Sequence, residues 1–239
     1  MYKDEKEGNM IDFHSHILPG IDDGSRSLET SLEMLRLSRK QGVDYIVATP
    51  HFYAMKDRTQ EFFERRGTAY QAVFEKINTD EYPRIVLGAE VAYFEGVGEA
   101  EAIDDFTIGD TNWLLLELPF SKWNKRTYEE LERLTEDRNI HIILAHLERY
   151  FPIEEKKDIQ RILDFPVTVQ INAGSLLDWK QRSKIVKMFK HNKAHLLGSD
   201  CHGMHHRPPN LLQGRDMLEK KAGREVLDRI DALGEKILL

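Results

Sequence analysis

Short runs of apolar residues recur along the chain, and most of them end abruptly at a histidine or a carboxylate. Runs of roughly four to eight apolar, β-prone residues are typical of buried strands. One such run opens the sequence at 10–16, and five more have the same form, at 45–51, 84–90, 113–119, 141–146 and 195–202. A further run at 167–172 completes a set of seven predicted strands.

Apolar residues at helical spacing lie between these runs. Ser27 is placed to cap a helix, and Leu28, Leu32 and Leu35 then fall on one stripe of it. Gly42 supplies the end of this helix, because glycine readily adopts the conformation that follows a last helical turn. Further helices are predicted at 61–77, 158–163, 181–191 and 211–221.

A capping-box pattern predicts one more helix between the fourth and fifth runs. Thr127 is followed three residues later by Glu130, just before the apolar Leu131 and Leu134. We expect this helix to begin at Thr127 and to run to about Arg138.

The alternation of strands and helices predicts an α/β fold with a parallel sheet and helical crossovers. Seven units with ligand-type residues at the strand ends favour a closed or nearly closed (β/α) barrel, since such barrels gather their chemistry there. An open doubly wound sheet collects its site at one switch point and fits less well. Barrels of about 250 residues commonly form one domain, so residues 10–239 are predicted to be a single domain. The charged residues 1–9 are predicted to be a mobile extension.

The residues that end the runs are of the types that bind metals. His14 and His16 are two apart and would face the same way from an extended strand, although an isolated pair of this kind is more often solvated. Later runs add His51, Glu90, Glu117, His146, Asp200 and His202. A buried carboxylate or imidazole is expensive to desolvate unless it is paired or bound to metal. The repeated endings therefore predict one shared polar centre, and a coincidence of structural roles is the alternative.

Composition and charge restrict the classes of partner. The 239 residues carry a net charge of -7, which argues against general nucleic-acid affinity, so an anionic substrate needs local positive charge. We find no signal peptide and no apolar run long enough to insert stably in a membrane. Cys201 is the only cysteine, which excludes an internal disulfide and is compatible with the cytoplasm. We expect Cys201 to be a packing residue.

Several motifs of the chain resemble the PHP superfamily, named for its polymerase and histidinol phosphatase members. These motifs are Ile-Asp-Phe-His-Ser-His-Ile-Leu-Pro-Gly-Ile-Asp-Asp-Gly, Ala-Thr-Pro-His, Leu-Gly-Ala-Glu, Leu-Leu-Glu-Leu-Pro, Ala-His-Leu-Glu-Arg and Gly-Ser-Asp-Cys-His. Within the superfamily, the chain is most similar to the bacterial metal-dependent protein-tyrosine phosphatases of capsule and exopolysaccharide operons. The resemblance implies a distorted seven-stranded (β/α) barrel that holds up to three metal ions.

The resemblance also implies a set of metal ligands, and all nine of its positions are filled in this chain. The ligands would be His14, His16, Asp23, His51, Glu90, Glu117, His146, Asp200 and His202. Imidazole and carboxylate ligands without thiolate admit manganese, iron and zinc, and the resemblance favours two or three manganese ions. Glu90 is the candidate to bridge two ions. Metal-assisted phosphomonoester hydrolysis would then need no protein nucleophile.

Arg149 and Arg207 are the candidates for phosphate capture. Each follows a predicted ligand by a few residues, and a guanidinium group matches two phosphate oxygens while staying charged. Both also match phosphate-binding positions of the family, although two surface arginines in loops are the alternative. His205 and His206, in the same loop as Arg207, are expected to be solvated, and the alternative is that they donate hydrogen bonds to groups around the metal site.

The substrate implied by the resemblance is phosphotyrosine in a protein. The expected partner is the tyrosine-rich tail of a bacterial kinase that controls polysaccharide synthesis and export. The alternatives are a small-molecule phosphomonoesterase, such as a histidinol-phosphate phosphatase, and a non-catalytic PHP domain that serves as a binding module.

Aromatic residues follow several of the strand ends, where they could form a collar for a tyrosyl ring or could simply cover the barrel. They are Phe52, Tyr53, Phe94, Phe120 and Trp123. Some relatives have a second histidine where this chain has Phe52, which leaves the shape of the leaving-group pocket open.

Overall fold

Parallel strands alternate with helices through the part of the chain that the computed structural model describes, residues 8–77 and 81–239. The strands are β1 (Ile11–Ser15), β2 (Tyr45–Ala48), β3 (His51–Phe52), β4 (Arg84–Leu87), β5 (Glu90–Ala92), β6 (Trp113–Glu117), β7 (His141–Leu144), β8 (Val167–Asn172) and β9 (Leu196–Gly198). The α-helices are α1 (Leu28–Lys40), α2 (Thr59–Phe74), α3 (Lys125–Glu132), α4 (Lys156–Leu163), α5 (Trp179–Lys190), α6 (Leu211–Ala222) and α7 (Arg224–Leu238). The prediction of an α/β fold with parallel strands is confirmed.

The strands form two curled parallel sheets, in the orders β1-β2-β4 and β3-β5-β6-β7-β8-β9. Two of the seven predicted strands are each divided, into β2 and β3 and into β4 and β5. Pro50 lies at the first break and has no N–H to donate, and Gly88 lies at the second. The divided strands keep the same neighbours, because Gly88 N donates to Ala48 O at 2.9 Å and Glu90 N donates to Pro50 O at 3.0 Å.

The chain that leaves β9 runs beside β1. Asp200 N donates to His14 O at 2.7 Å, and His16 N donates to Cys201 O at 3.0 Å. These bonds hold the two ends of the strand series together and bring the His14 and His16 segment next to Asp200. Cys201 is fully buried, in agreement with the predicted packing role.

A buried apolar cluster joins five of the strands to α7. β1, β2, β6, β7 and β9 contribute Phe13, Val47, Leu115, Ile143 and Leu196 to it. Leu115 lies two residues before Glu117 on β6, so both side chains leave the same face. α7, which the sequence analysis did not predict, closes this cluster with Ile237.

The N-terminal segment can be compared with its prediction only in part. Residues 1–7 of the predicted mobile extension lie outside the described residues. Asn9, at its end, donates from its backbone N and its Nδ2 to Glu235 Oε1, at 2.8 and 2.7 Å. Asn9 is therefore attached to α7.

The first helix agrees with its prediction, and the helix expected at Thr127 does not. The Ser27 side chain accepts from Thr30 N at the start of α1, and Gly42 follows the helix with a φ of 90°. α3, however, begins two residues earlier than expected, with Asn124 as its N-cap and Thr127 as the reciprocal partner. The Thr127–Glu130 capping box is thus wrong, because Asn124 already satisfies the first backbone donors of the helix.

Glu130 instead holds the loop that follows β5. Its carboxylate is fully buried and accepts from Gly96 N and Gly98 N, both at 2.9 Å. Arg133 lies 3.4 Å from the same carboxylate.

Replacing Glu130 with alanine should lower the free energy of unfolding by roughly 2–4 kcal/mol, since two backbone donors lose a charged acceptor. Urea unfolding would measure the change. Glu129→Ala is the matched control, because the Glu129 side chain is 41% exposed and pairs with the exposed Lys125. We expect that control to stay within about 0.5 kcal/mol of the original chain. Equal effects of the two substitutions would refute the structural role of Glu130.

Candidate metal centre

The nine predicted ligand residues converge at the carboxyl ends of the strands. Their imidazole nitrogens and carboxylate oxygens form four groups, each with all atoms within 4.8 Å of one another. The groups are His16–Asp23–His51–His202, His14–Glu90–His146, His14–His16–Asp200 and His51–Glu90–Glu117. Each group could hold a metal ion, and shared members connect all four.

Glu90 lies at the middle of this centre and touches four imidazoles. Its Oε2 is 3.2 Å from His14 Nε2, 3.3 Å from His16 Nε2 and 2.8 Å from His51 Nδ1. Its Oε1 is 2.8 Å from His146 Nε2. Burial by itself raises a carboxyl pKa, but the neighbouring histidines, His14 first, hold the pKa of Glu90 well below its ordinary value. Glu90 is therefore an anion with both oxygens directed at ligand-type atoms.

Asp200 brings a second carboxylate to the same histidines. Its Oδ1 lies 3.7 Å from His14 Nε2 and 3.5 Å from both His16 Nε2 and His202 Nδ1. Burial opposes ionisation, but the charges of His14 and His16 hold the Asp200 pKa well below its usual range. The Asp200 backbone has a φ of 50°, a conformation that is unfavourable for a residue with a side chain and is often found at functional sites.

Asp23 and Glu117 belong to two different groups of the centre, which share His51. Asp23 is exposed, and its Oδ1 is 3.4 Å from both His51 Nε2 and His202 Nε2. Glu117 Oε1 is 3.3 Å from His146 Nε2. The exposed carboxylate of Asp23 marks the side of the centre that is open to solvent.

Two residues that sequence reasoning missed orient the histidines. Asp22 Oδ2 lies 2.7 Å from His16 Nδ1 and also accepts from His51 N at 3.0 Å. Gln170 Oε1 lies 3.2 Å from His14 Nδ1 and accepts from His146 N at 2.8 Å. Both contacts leave the Nε2 atom of the ring directed at the centre, as is usual for the outer partners of metal-binding histidines.

The unpaired atoms of the centre fit the requirements of a cation. In the described part of the chain, His51 Nδ1, Glu90 Oε2 and His202 Nε2 are buried without a hydrogen-bond partner of suitable geometry. His14 Nε2 and His16 Nε2 lie 3.1 Å apart, although two unprotonated imidazole nitrogens repel each other unless a proton or a metal ion lies between them. The mixed nitrogen and oxygen donors suit divalent transition ions.

The carboxylates around two of the histidines favour the charged forms of their rings. Burial opposes the charging of His146, but its contacts with Glu117 and Glu90 raise its pKa to about 9. Contacts with Asp200, Asp22 and Glu90 likewise overcome burial and raise the pKa of His16 well above its ordinary value.

Both predicted arginines lie beside Asp200, on one side of the centre. Arg149 Nη2 contacts Asp200 Oδ2, and Arg207 Nη1 lies 3.2 Å from the same oxygen. Arg207 Nη2 is also 3.6 Å from Asp23 Oδ2. About a third of each arginine side chain is exposed. Both guanidinium groups can therefore meet an anion that approaches the centre from solvent.

Of the five aromatic residues considered for a collar, two contact the candidate ligands. The Phe120 ring is half exposed and stacks on Tyr150 and on His146, with centroids 5.2 and 6.0 Å away. The Tyr53 ring stacks on His51 at 5.2 Å.

The other three residues of that set have different surroundings. Phe52 and Trp123 are buried, and Phe94 shares a separate cavity of about 210 Å³ with Phe52. Phe52 is thus part of the apolar packing around Phe62 and Phe106. Of the five residues, only Phe120 and Tyr53 remain candidates for an aromatic collar around a tyrosyl ring.

Outside the centre, two further expectations can be compared with the structure. His205 and His206 are exposed, as expected of solvated side chains. Among the residues that the structure describes, no helix combines the length and the apolar character needed to cross a bilayer.

Comparisons with known proteins show similarity over nearly the whole chain. A family model described as capsular polysaccharide synthesis, CpsB/CapC, matches residues 10–238. The tyrosine-protein phosphatase CpsB of Streptococcus agalactiae serotype V is 29% identical over 231 residues, which cover 90% of this chain and 92% of that protein. The tyrosine-protein phosphatase YwqE of Bacillus subtilis is 28% identical over 227 residues, covering 91% and 87%.

A solved structure has the same fold. It belongs to the crystal structures of YwqE from Bacillus subtilis and CpsB from Streptococcus pneumoniae, which are described as unique metal-dependent tyrosine phosphatases. It aligns with a TM-score of 0.80 and 24% identity over 96% of this chain and 94% of its own. With the family match extending over nearly the whole length, the chain belongs to the CpsB/CapC family of capsular polysaccharide synthesis.

Proposed function

We propose that the chain is a metal-dependent phosphatase that hydrolyses phosphotyrosine in proteins. The observation that carries the proposal is the convergence of nine ligand-type side chains with two arginines on one side of them. The curated relatives are named tyrosine-protein phosphatases, and they match nine tenths of the chain.

The nine side chains of the four groups would hold two or three metal ions, and Glu90, which belongs to two of the groups, would contribute to holding more than one. Manganese is the preferred ion of this proposal, and iron and zinc suit the same donors. Bound divalent ions supply Lewis acidity, which activates water near neutral pH and stabilises the charge of an in-line displacement.

The residues of the chain itself bind and orient the phosphate. Arg149 and Arg207 each offer several N–H donors to the phosphate oxygens, and their guanidinium groups stay charged throughout the reaction. Asp22 and Gln170 hold the His16 and His14 rings in place through the Nδ1 atoms.

A cysteine nucleophile is excluded as an alternative for this chain. Cys201 is fully buried, and its burial raises the pKa of the thiol, so the thiolate is disfavoured. The burial of Cys201 supports a reaction at the metal centre without a cysteine nucleophile.

The proposed fold behind this site is a distorted seven-stranded barrel. If β2 and β3 are counted as one strand, and β4 and β5 as another, the described part of the chain has seven strands. Each of them ends at the candidate metal centre or close to it. The parallel pairing of the Ser15 and Cys201 segments supports a barrel, because it links the last strand to the first. Residues 10–239 would then be one domain.

The phosphotyrosine preference is supported by Phe120 and Tyr53. Both rings lie against candidate ligands, and the half-exposed face of Phe120 is available for stacking with a phenyl ring. A phenolate with a pKa near 10 also leaves with less help from an acid than an alkoxide does. The proposed partner is the tyrosine-rich tail of a bacterial kinase that controls polysaccharide synthesis and export, in the cytoplasm.

Side-by-side kinetics on three substrates tests the function. We expect kcat/KM on a phosphotyrosyl peptide to exceed that on a phosphoseryl peptide and on histidinol phosphate by at least about tenfold, or about 1.4 kcal/mol in barrier. A preference for histidinol phosphate would indicate that the chain is a small-molecule phosphatase instead. Absence of turnover on all three substrates by protein with a full complement of metal would indicate a binding module.

A further inference from the structure

Two amide side chains on β8 connect ligand residues from both ends of the strand series. Gln170 and Asn172 are two residues apart, so their side chains leave the same face of the strand. Gln170 Oε1 lies 3.2 Å from His14 Nδ1, on β1, and Gln170 Nε2 donates to Asn172 Oδ1 at 2.9 Å. Asn172 Nδ2 donates in turn to Oδ2 of Asp200, which follows β9, at 2.8 Å. We call Gln170 and Asn172 the amide pair.

The orientation of both amides is fixed from either end of this series of contacts. At one end, His146 N can only donate, and it donates to Gln170 Oε1 at 2.8 Å. The same oxygen accepts from His14 Nδ1, and the NH₂ group of Gln170 must then face Asn172. At the other end, the Asp200 carboxylate can only accept, so the NH₂ group of Asn172 must face it. Both ends require the same arrangement of the amide pair.

This arrangement leaves one metal-binding atom available on each of the two ligands. With its hydrogen on Nδ1, a neutral His14 ring has an unprotonated Nε2 directed at the centre. With Oδ2 bound by Asn172, Asp200 keeps Oδ1 at 3.5 Å from His16 Nε2 and at 3.7 Å from His14 Nε2. Hydrogen bonds to the outer atoms of metal ligands commonly set their orientation in this way.

The amide pair lies in a closely packed part of the fold. Gln170 is fully buried, and Asn172 is 8% exposed. Gly198 of β9 packs against Gln170, since a Cβ atom at Gly198 would lie 2.8 Å from Gln170 Nε2 and 2.5 Å from His14 Cβ. The Gln170 amide therefore has little room to leave its two partners.

Asn172 differs in burial from the other partners of Asp200 Oδ2. Arg149 and Arg207 also contact this oxygen, but about a third of each arginine side chain is exposed. Both arginines are proposed to bind the phosphate, so a bound phosphate would compete with Asp200 for their N–H groups. Asn172 is a buried partner that can hold Asp200 while the arginines bind an anion.

We propose that Asn172 is a positioning residue for Asp200 and that it acts as one unit with Gln170, which positions His14. This inference rests on the metal centre of the proposed phosphatase. It adds a connection through β8 between the first and the last ligand segments of the chain, made by two residues that are not themselves metal ligands.

Manganese binding tests the amide pair without any turnover. Protein loaded with manganese would be equilibrated at a series of free manganese concentrations, and the bound metal measured by elemental analysis. Asn172→Leu keeps the approximate size of the side chain but removes its donor and its acceptor. We expect it to raise the manganese concentration at half saturation about tenfold, as is typical when an outer partner of a ligand is lost. Asn172→Ala, which avoids crowding by a larger apolar group, should change it in the same direction.

Gln41→Leu is the matched control for Asn172→Leu. Gln41 is also a buried amide with both ends bonded, to Pro209 O and Leu212 N, and it belongs to none of the four ligand groups. Because distant sites act independently, its manganese concentration at half saturation should stay within about twofold of the original.

An Asp200→Asn background shows whether Asn172 acts through Asp200. There, Asn172→Leu should change the manganese concentration at half saturation by less than about twofold, since its partner is already altered. Gln170→Leu should still weaken manganese binding in this background, because Gln170 also contacts His14. A general loss of packing would not distinguish the two backgrounds.

Two results would overturn the role of the amide pair. One is unchanged manganese binding in both Asn172→Leu and Asn172→Ala. The other is an equal loss from Asn172→Leu with Asp200 and with Asp200→Asn. If the unmodified protein bound no manganese, the metal centre would fall and this inference with it. The expected manganese results in a protein that does not hydrolyse phosphotyrosine would support the amide pair and contradict the proposed function.

Discussion

Glu90→Gln should reduce phosphotyrosine hydrolysis by roughly a thousandfold or more and should lower the metal content. The substitution keeps the shape of the side chain but removes the charge that faces His14, His16, His51 and His146. A neutral amide is a poorer metal ligand than a carboxylate, and bound metal ions would supply several kcal/mol of transition-state stabilisation. Elemental analysis and steady-state kinetics on the same preparation would measure both effects.

A metal chelator should reproduce the Glu90→Gln result in the unmodified protein. We expect at least two metal equivalents in protein purified without chelator, and manganese among the ions that restore activity after chelation. The temperature of unfolding should fall on chelation as well, because a ligand that binds only the folded state stabilises it. This last readout does not depend on turnover.

Glu154→Gln is the matched control for Glu90→Gln. Glu154 is also buried, but its Oε1 accepts from Trp123 N, away from the four ligand groups. A glutamine can keep that acceptor, so metal content and activity should stay near those of the original chain. Full turnover by protein shown to be free of metal would contradict the proposed mechanism.

The strands could be predicted because each apolar run has a clear end. The breaks within two of them were harder to predict, since Pro50 and Gly88 are each compatible with a strand end or a bend. α7 was missed, although Val226, Leu227 and Ile230 recur at helical spacing in it. Its contact with β1 depends on tertiary packing, which a local pattern does not contain.

The cap of α3 shows how two local patterns compete. Asn124 and Thr127 can each cap a helix, and the sequence contains a suitable residue three positions after both. The structure uses Asn124, because Glu130 is needed by the Gly96 and Gly98 backbone, 32 to 34 residues earlier in the chain. Such a long-range contact is not visible in a window of a few residues.

The candidate ligands could be predicted for a different reason. A histidine or carboxylate that ends a buried run is conspicuous, since burial of such a group needs a compensating partner. Asp22 does not end a buried run, and it lies next to Asp23 in the same loop, so its role could not be told from the sequence. Gln170 could have been predicted, because it is a polar residue in the otherwise apolar centre of β8.

Arg207→Ala and Arg149→Ala should each lower kcat/KM on a phosphotyrosyl peptide by about a hundredfold or more. Removal of one preorganised donor to a developing negative charge has effects of about this size. Both arginines now pair with Asp200, so each substitution also removes a positive charge beside a proposed metal ligand. Loss of a neighbouring cation does not weaken the attraction of Asp200 for another cation. Metal content should therefore stay the same or rise, unlike in Asp200→Ala, which should lose metal as well as activity.

Two further substitutions make the test of the arginines specific. Arg149→Lys keeps the charge but loses the planar fork, and we expect it to recover only part of the lost activity. Arg26→Ala is the control, because Arg26 is exposed and lines a cavity with Asp23 and His202. We expect Arg26→Ala to stay within about twofold of the original kcat/KM, as exposed charges usually contribute little. Normal hydrolysis of an aryl phosphate by Arg207→Ala, with metal bound, would show that Arg207 does not hold the phosphate and that Asp200 is its structural partner instead.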